Sequence, residues 1–272
     1  MRRFKQVDVF TARPFFGNPV AVVVDAEGLD ADAMQRIARW TNLSETTFLQ
    51  KSASADYRLR IFTPRQELPF AGHPTIGSAH AAIEAGFVAG KRQLKQECGA
   101  GILDLEVDGK TIFVKAPPAR IDPLEHPQRA ALVHALGLKD AEVLRIDVGA
   151  VWLVAEVPDV ARLAPDLAHL AALSEELRAA GATLYSASKD GESAVHVRSF
   201  APAHGIPEDP VCGSGNVCVG AYLRHFGRAA ARYSARQGMQ LGRDGRVHMR
   251  VSDDAIWLGG EAVTCVEGTL AT

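Results

Sequence analysis

Two stretches of the chain, 141 residues apart, follow one plan. Pro69-Phe70-Ala71-Gly72-His73 and Pro210-Val211-Cys212-Gly213-Ser214 each run proline, apolar residue, small residue, glycine, then a polar side chain with a hydrogen to donate. Glu67 and Glu208 keep that spacing, while Leu59-Arg60-Ile61-Phe62-Thr63-Pro64 matches Val197-Arg198-Ser199-Phe200-Ala201-Pro202 at a spacing of 138. Both hexapeptides alternate in polarity and stop at proline, which predicts strands. Ala79 to Phe87 and Val219 to Phe226 predict helix continuing from each glycine motif. The openings match more loosely, as "VDVFTARPFFGNPVAVVV" and "LRIDVGAVWLVAEV". Each opening leads to a helix. The first runs from Asp30, its N-cap, to Thr41, with Met34, Ile37 and Ala38 on one face; the second runs from Pro165 to Ala180. A hairpin is expected after each copy, with Asp108-Gly109 and Asp244-Gly245 as two-residue turns. Any one match is weak, but an ordered set at spacings of 136–141 restricts the chain to an α+β fold of two related halves. The expected halves are residues 1–118, with room for the C-terminal strand to complete them, and 128–272. The segment from Pro117-Pro118 to Pro127 reads as their link.

The 272 residues are 47% hydrophobic and 23% charged, enough apolar material for a soluble globular core. A net charge of −2 argues against nucleic acid as a partner. Arg224, Arg228 and Arg232 sit four apart and would share a solvated helix face if a helix ran that far. No apolar run approaches the ~20 residues that span a bilayer, and no apolar signal core follows the basic start Met1-Arg2-Arg3. A cytoplasmic protein without a membrane partner is expected. The four cysteines form no CxxC pair and read as reduced thiols; the nine histidines form no HExxH array, so no metal is expected. Gly109-Lys110-Thr111 mimics the end of a phosphate-binding loop, but Asp104 stands where its first glycine is needed. Gly213-Ser214-Gly215 lacks the third glycine of a dinucleotide site, since Cys218 stands there, and no cofactor is expected.

The chemistry concentrates around the doubled motif. A glycine before a helix lets a ligand approach the backbone, and a helix N-terminus favours an anion. Gly72, Gly213 and Gly215 stand at such entrances, with His73 and Ser214 as the adjoining polar groups. Glu45 falls between a helix ending near Asn42 and a strand starting near Thr47. Such a carboxyl, if desolvated, rises toward neutrality as a proton shuttle requires; on its own it reads first as a surface glutamate. His73 also reads as a cap or core histidine, Asp209 as a turn residue, Ser214 as an N-cap and Asn18 as a turn residue before Pro19. Cys212 reads as a small packing residue or as a thiol acidified by the helix tip.

Taken together, "VDVFTARPFFGNPVAVV", "NLSETTFL", "FAGHPTIG" and "EDPVCGSGN" resemble the phenazine-biosynthesis PhzF-like isomerase family, in order and over nearly the whole chain. The resemblance implies the fold of diaminopimelate epimerase and proline racemase. In that fold two similar halves each wrap a strongly curved, mostly antiparallel sheet around a central helix, the active site lies between the halves, and no cofactor or metal is used. It implies Glu45 as general acid/base, with His73, Asp209 and Ser214 holding and polarising the substrate and relaying protons. Asn18, Gly72, Gly213 and Gly215 are the implied substrate contacts. The implied partners are a small carboxylate, of dihydro-hydroxyanthranilate type in the phenazine pathway, and a second copy of the chain in a homodimer. Racemase relatives place a cysteine in each half. Here the first half has Ala71 opposite Cys212, and the second-half counterpart of Glu45 falls near Ala182. That asymmetry favours a one-base shuttle. An amino- or hydroxy-acid epimerase or racemase using Cys212, and a non-catalytic metabolite-binding protein, stay open.

Overall fold

A computed structural model describes residues 1–272, and the chain divides into two compact units. The first comprises Met1–Lys115 and Gly259–Thr272; the second comprises Ala116–Leu258.

In the first unit, β1 (Arg2–Val9) pairs antiparallel with β2 (Asn18–Val23). Helix α1 (Ala31–Thr41) opens on Asp30, whose carboxylate accepts the Ala33 N–H at 2.7 Å, and closes on Asn42 in the left-handed region at φ 55°. Met34 and Ala38 are buried against Val23, Phe48 and Phe62, with Ile37 packed at the margin. β3 (Thr46–Gln50) then runs parallel to β2, and β4 (Tyr57–Phe62) runs antiparallel to β3. β5 (Glu67–Leu68) leads into α2 (Gly72–Glu84). β6 (Gln93–Cys98), β7 (Gly101–Asp108) and β8 (Thr111–Lys115) form an antiparallel meander. The C-terminal strand Ala262–Leu270 pairs antiparallel with β1. The chain's end therefore belongs with the first unit, the place for which the sequence left room. Helix α2 is made of small and apolar residues and is buried on nearly every side. A helix apolar all round must be covered all round, and strands β1, β2, β3, β4 and β8 pack on it.

The second unit opens where a linker was expected. β9 (Arg120–Pro123) pairs with the later strand Val143–Asp147, and α3 (His126–Ala135) begins with a reciprocal cap between Glu125 and Gln128. The prolines misled because each occupies a tolerated place, Pro123 at a strand end and Pro127 in the first helical turn. β10 (Val143–Asp147) and β11 (Val151–Glu156) form a hairpin, then α4 (Leu167–Glu176) leads to β12 (Gly181–Ala187), parallel to β11. Helix α4 stops short of the expected Ala180 because Arg178 turns left-handed at φ 49°. β13 (Val195–Ala201), β14 (Ile206–Asp209) and α5 (Gly213–His225) repeat the β4–β5–α2 order. β15 (Arg232–Gln237) and β16 (Gly245–Val251) are antiparallel, and β17 (Ile256–Gly260) follows. Leu132, Leu153, Leu170, Leu173, Leu184 and Phe200 form a buried layer under α3 and α4.

One expected hairpin forms with its turn one residue later than Asp108-Gly109, and the other is displaced. Asp108 pairs with Thr111 around a Gly109-Lys110 turn. The expected strand ahead of Asp244-Gly245 is instead a 3-10 turn, Met239–Leu241, and β16 pairs with Arg232–Gln237. Gly238 at φ 99° bends the chain there, and a Cβ would stand 2.5 Å from the Pro210 carbonyl oxygen. The arginine stripe dissolves too: α5 ends at His225, Arg228 pairs with Glu156 at 2.6 Å, and Arg232 and Arg236 lie on β15.

A buried clasp holds each central helix by its first turn. Gln96 on β6 donates to the Thr75 hydroxyl at 3.2 Å and accepts from the Tyr57 hydroxyl at 2.9 Å. At positions 141 later, Asn216 donates to Gln237 on β15 at 2.9 Å, and Gln237 donates to the Asp209 carbonyl at 3.1 Å. Gln237→Leu takes one of two acceptors from the buried Asn216 amide, which keeps the Cys212 carbonyl at 2.9 Å, and leaves the half-buried Asp209 carbonyl without this donor. The expected cost is about 2 kcal/mol, read as a melting temperature lower by several degrees; an unchanged melting curve would show that the clasp adds no stability.

Candidate active site

In the first unit, the parallel pairing of β2 and β3 sets Ala21 beside Thr46, and the Ala21 N–H donates to the Glu45 carbonyl at 3.3 Å. The left-handed Asn42 turns the chain out of α1 so that Glu45 sits just ahead of β3. The Thr47 hydroxyl then ties β3 to α2 through Ser78 at 2.8 Å and donates to the Ala21 carbonyl at 3.2 Å. His73, in the first turn of α2, is thereby brought over Glu45: Nε2 lies 3.2 Å from Glu45 Oε2, with side-chain exposures of 8% and 15%. Helix α2 begins on Ala71, whose methyl group cannot cap the first turn, with Gly72 as its first residue. Asn18 is buried at the start of β2, opposite Val9.

Burial decides the Glu45 charge. It pushes the carboxyl up to about 7, against a smaller opposing contribution from a Ser44 hydrogen bond. An oxygen with little water around it ionises reluctantly. A carboxyl in that range exists in both forms near neutral pH, and this is the property proton shuttling demands.

In the second unit, Asp209 closes β14 and its Oδ1 accepts the Val211 N–H at 3.0 Å. Cys212 caps α5, its sulfur accepting the Gly215 N–H at 3.3 Å. Gly213 and Ser214 follow as the first helical residues. The Ser214 hydroxyl accepts the Trp152 indole N–H at 2.9 Å and lies 3.6 Å from the Cys212 sulfur. Gly215 is packed tightly, since a Cβ there would stand 2.6 Å from Thr183 Oγ1 and 2.7 Å from Ser199 Oγ. Of the two readings of Cys212, the packing residue fits: it is buried, and burial, then the charge of Asp209, raises that thiol far above its ordinary range. It stays protonated and makes a poor base.

The two copies are chemically unequal for a steric reason. Thr46 pairs with Phe62, and Ala182 pairs with Phe200, so Gly181 occupies the place of Glu45. A Cβ at Gly181 would lie 1.9 Å from the Phe200 carbonyl oxygen, so the backbone of β13 excludes any side chain there. The sequence reading missed Trp152. Its signal was available: an indole amid Val151, Leu153 and Val154 must find a partner for its N–H.

The chain matches the family described as phenazine biosynthesis-like protein over residues 7–268. It is 40% identical to the Schizosaccharomyces pombe protein named antisense-enhancing sequence 1, over 97% of each chain. It is 35% identical to the Escherichia coli (strain K12) protein named uncharacterized isomerase YddE, over 90% of this chain and 89% of that one. The crystal structure of a Bacillus anthracis phenazine biosynthesis protein of the PhzF family superposes with a TM-score of 0.88 at 27% identity, covering 100% and 99% of the two chains. The chain has the mixed α+β fold of these proteins, and it belongs to the phenazine biosynthesis-like protein family.

Proposed function

We propose that the protein is an isomerase that moves a proton between carbons of a small carboxylated substrate, with Glu45 as general acid/base. Family membership supports the isomerase class. The observation that carries the mechanism is the buried Glu45–His73 pair, 3.2 Å apart, with Glu45 poised at about 7. Ionised Glu45 accepts a proton from a carbon next to an unsaturated system. The C–H electron pair moves into that system, and protonated Glu45 returns the proton at another of its carbons. No atom is gained and no electron leaves, so the reading needs no cofactor. His73 orients the carboxyl, while Asp209 and Ser214 polarise and hold the substrate, with Asn18, Gly72, Gly213 and Gly215 as contacts. A cyclic substrate of dihydro-hydroxyanthranilate type falls within this class. The proposed setting is a cytoplasmic homodimer; no helix is long and apolar enough to cross a membrane.

The test is incubation with a panel of small aromatic and alicyclic carboxylates in D₂O, followed by NMR. Double-bond migration with deuterium entering a second carbon is expected for at least one compound. Exchange confined to one α-carbon and lost in Cys212→Ser supports the epimerase reading instead. Tight binding with no exchange across the panel makes the protein a metabolite binder and overturns the proposal.

A further inference from the structure

We infer that Trp152 is a positioning residue that holds the Ser214 hydroxyl as a hydrogen-bond donor for the substrate carboxylate. The inference rests on the proposed function, and it starts from what an indole can do. Its N–H donates and cannot accept. At 2.9 Å from Trp152 Nε1, the Ser214 oxygen is therefore the acceptor, and its own hydrogen must point elsewhere. A serine rotor that would otherwise sample several directions is left as a donor turned away from β11. The sulfur of Cys212, 3.6 Å away, is only a weak competitor for that hydrogen.

The doubled architecture shows what the tryptophan is for. Ser214 stands 141 residues after His73, at the same helical position. Strand register makes Val20 the counterpart of Trp152, because Ala21 faces Thr46 as Leu153 faces Ala182. In the first copy the helix carries an imidazole, a planar group with fixed directions, and the strand carries plain valine. In the second copy the helix carries a freely rotating hydroxyl, and the strand carries the one apolar side chain with a donor. The large ring thus appears only where a rotor needs fixing. Trp152 is buried in β11, on a rigid element well suited to that task.

The experiment is a double-mutant cycle using anthranilate as the carboxylate probe, with dissociation constants from calorimetry. Trp152→Phe and Ser214→Ala are each expected to weaken binding about tenfold, the usual scale for a hydrogen bond to a charged group. The double variant is expected to lose no more than either single one, because the tryptophan acts through the serine. Bound anthranilate should also shift the Trp152 indole N–H resonance in the wild type and leave it unmoved in Ser214→Ala. If Trp152→Phe does not fold, benzothienylalanine at position 152, an isostere with sulfur in place of N–H, serves the same comparison. Wild-type affinity in Trp152→Phe, losses that multiply in the double variant, or an indole resonance indifferent to anthranilate each overturns the inference alone. Failure of anthranilate to bind the wild type removes both the inference and the reading of the site on which it rests.

Discussion

Glu45→Gln is expected to lower proton transfer by about a thousandfold on any compound the wild type isomerises, the range general acid/base groups supply. Glutamine keeps the size and polarity of the side chain and removes only its ability to exchange a proton. His73, 3.2 Å away, remains in place. The loss should therefore appear in turnover, with substrate affinity changed little. Folding should not suffer. A carboxyl raised from 4.5 to about 7 by burial is bound to a proton in the folded chain where the unfolded chain has released it. Stability from this group is thus full below pH 4.5 and falls as pH rises through 7, so the neutral amide should melt at or above the wild-type temperature at pH 8. Turnover within tenfold of wild type would show that another group carries the proton.

Arg198→Ala is expected to destabilise the protein by about 3–5 kcal/mol, a fall in melting temperature of roughly 10 °C. Arg198 and Glu208 form a bidentate pair at 2.8 Å, with side-chain exposures of 8% and 9%. The guanidinium also donates to the carbonyls of Val160 and Leu163 at 3.1 and 2.6 Å and lies over the Phe200 ring. Removing it strands the Glu208 carboxylate and takes a donor from two carbonyls, of which that of Val160 keeps the Leu163 N–H at 3.2 Å. The first copy supplies an internal control. Arg60 and Glu67 make the same bidentate contact at 2.7 Å over Phe62, but with exposures of 19% and 41%. Water can solvate what Arg60→Ala leaves behind, so the expected cost there is about 1 kcal/mol. Replacing Arg198 and Glu208 together by apolar residues should recover much of the loss, because no unpaired charge remains. Equal costs at Arg60 and Arg198 would mean that burial does not set the difference.

Local chemistry made much of this fold legible. The Asp30 cap, the strands that stop ahead of Pro64 and Pro202, and the helices launched from Gly72 and Gly213 each depend on a few adjacent residues. The errors came where a local cue lost to packing. Asp244-Gly245 looks like a turn, but Gly238 turns first and Gly245 opens a strand. Pro117 to Pro127 looks like a linker, but β9 finds an edge on β10. At the site, the position of Glu45 beside a strand was readable, but its contact with His73 was not. That contact depends on the parallel register of β2 and β3 and on the Thr47–Ser78 tie, pairings made by residues far apart in sequence. The same holds for Trp152 and Ser214, 62 residues apart.

Proton transfer by Glu45 requires that this one carboxyl be poised between its two charge states. The most direct measurement is a pH titration of the carboxyl carbon of Glu45, observed by carbon-13 NMR in labelled protein and assigned by its absence in Glu45→Gln. The expected midpoint is near pH 7. A midpoint near 4.5, that of an ordinary solvated glutamate, would contradict it.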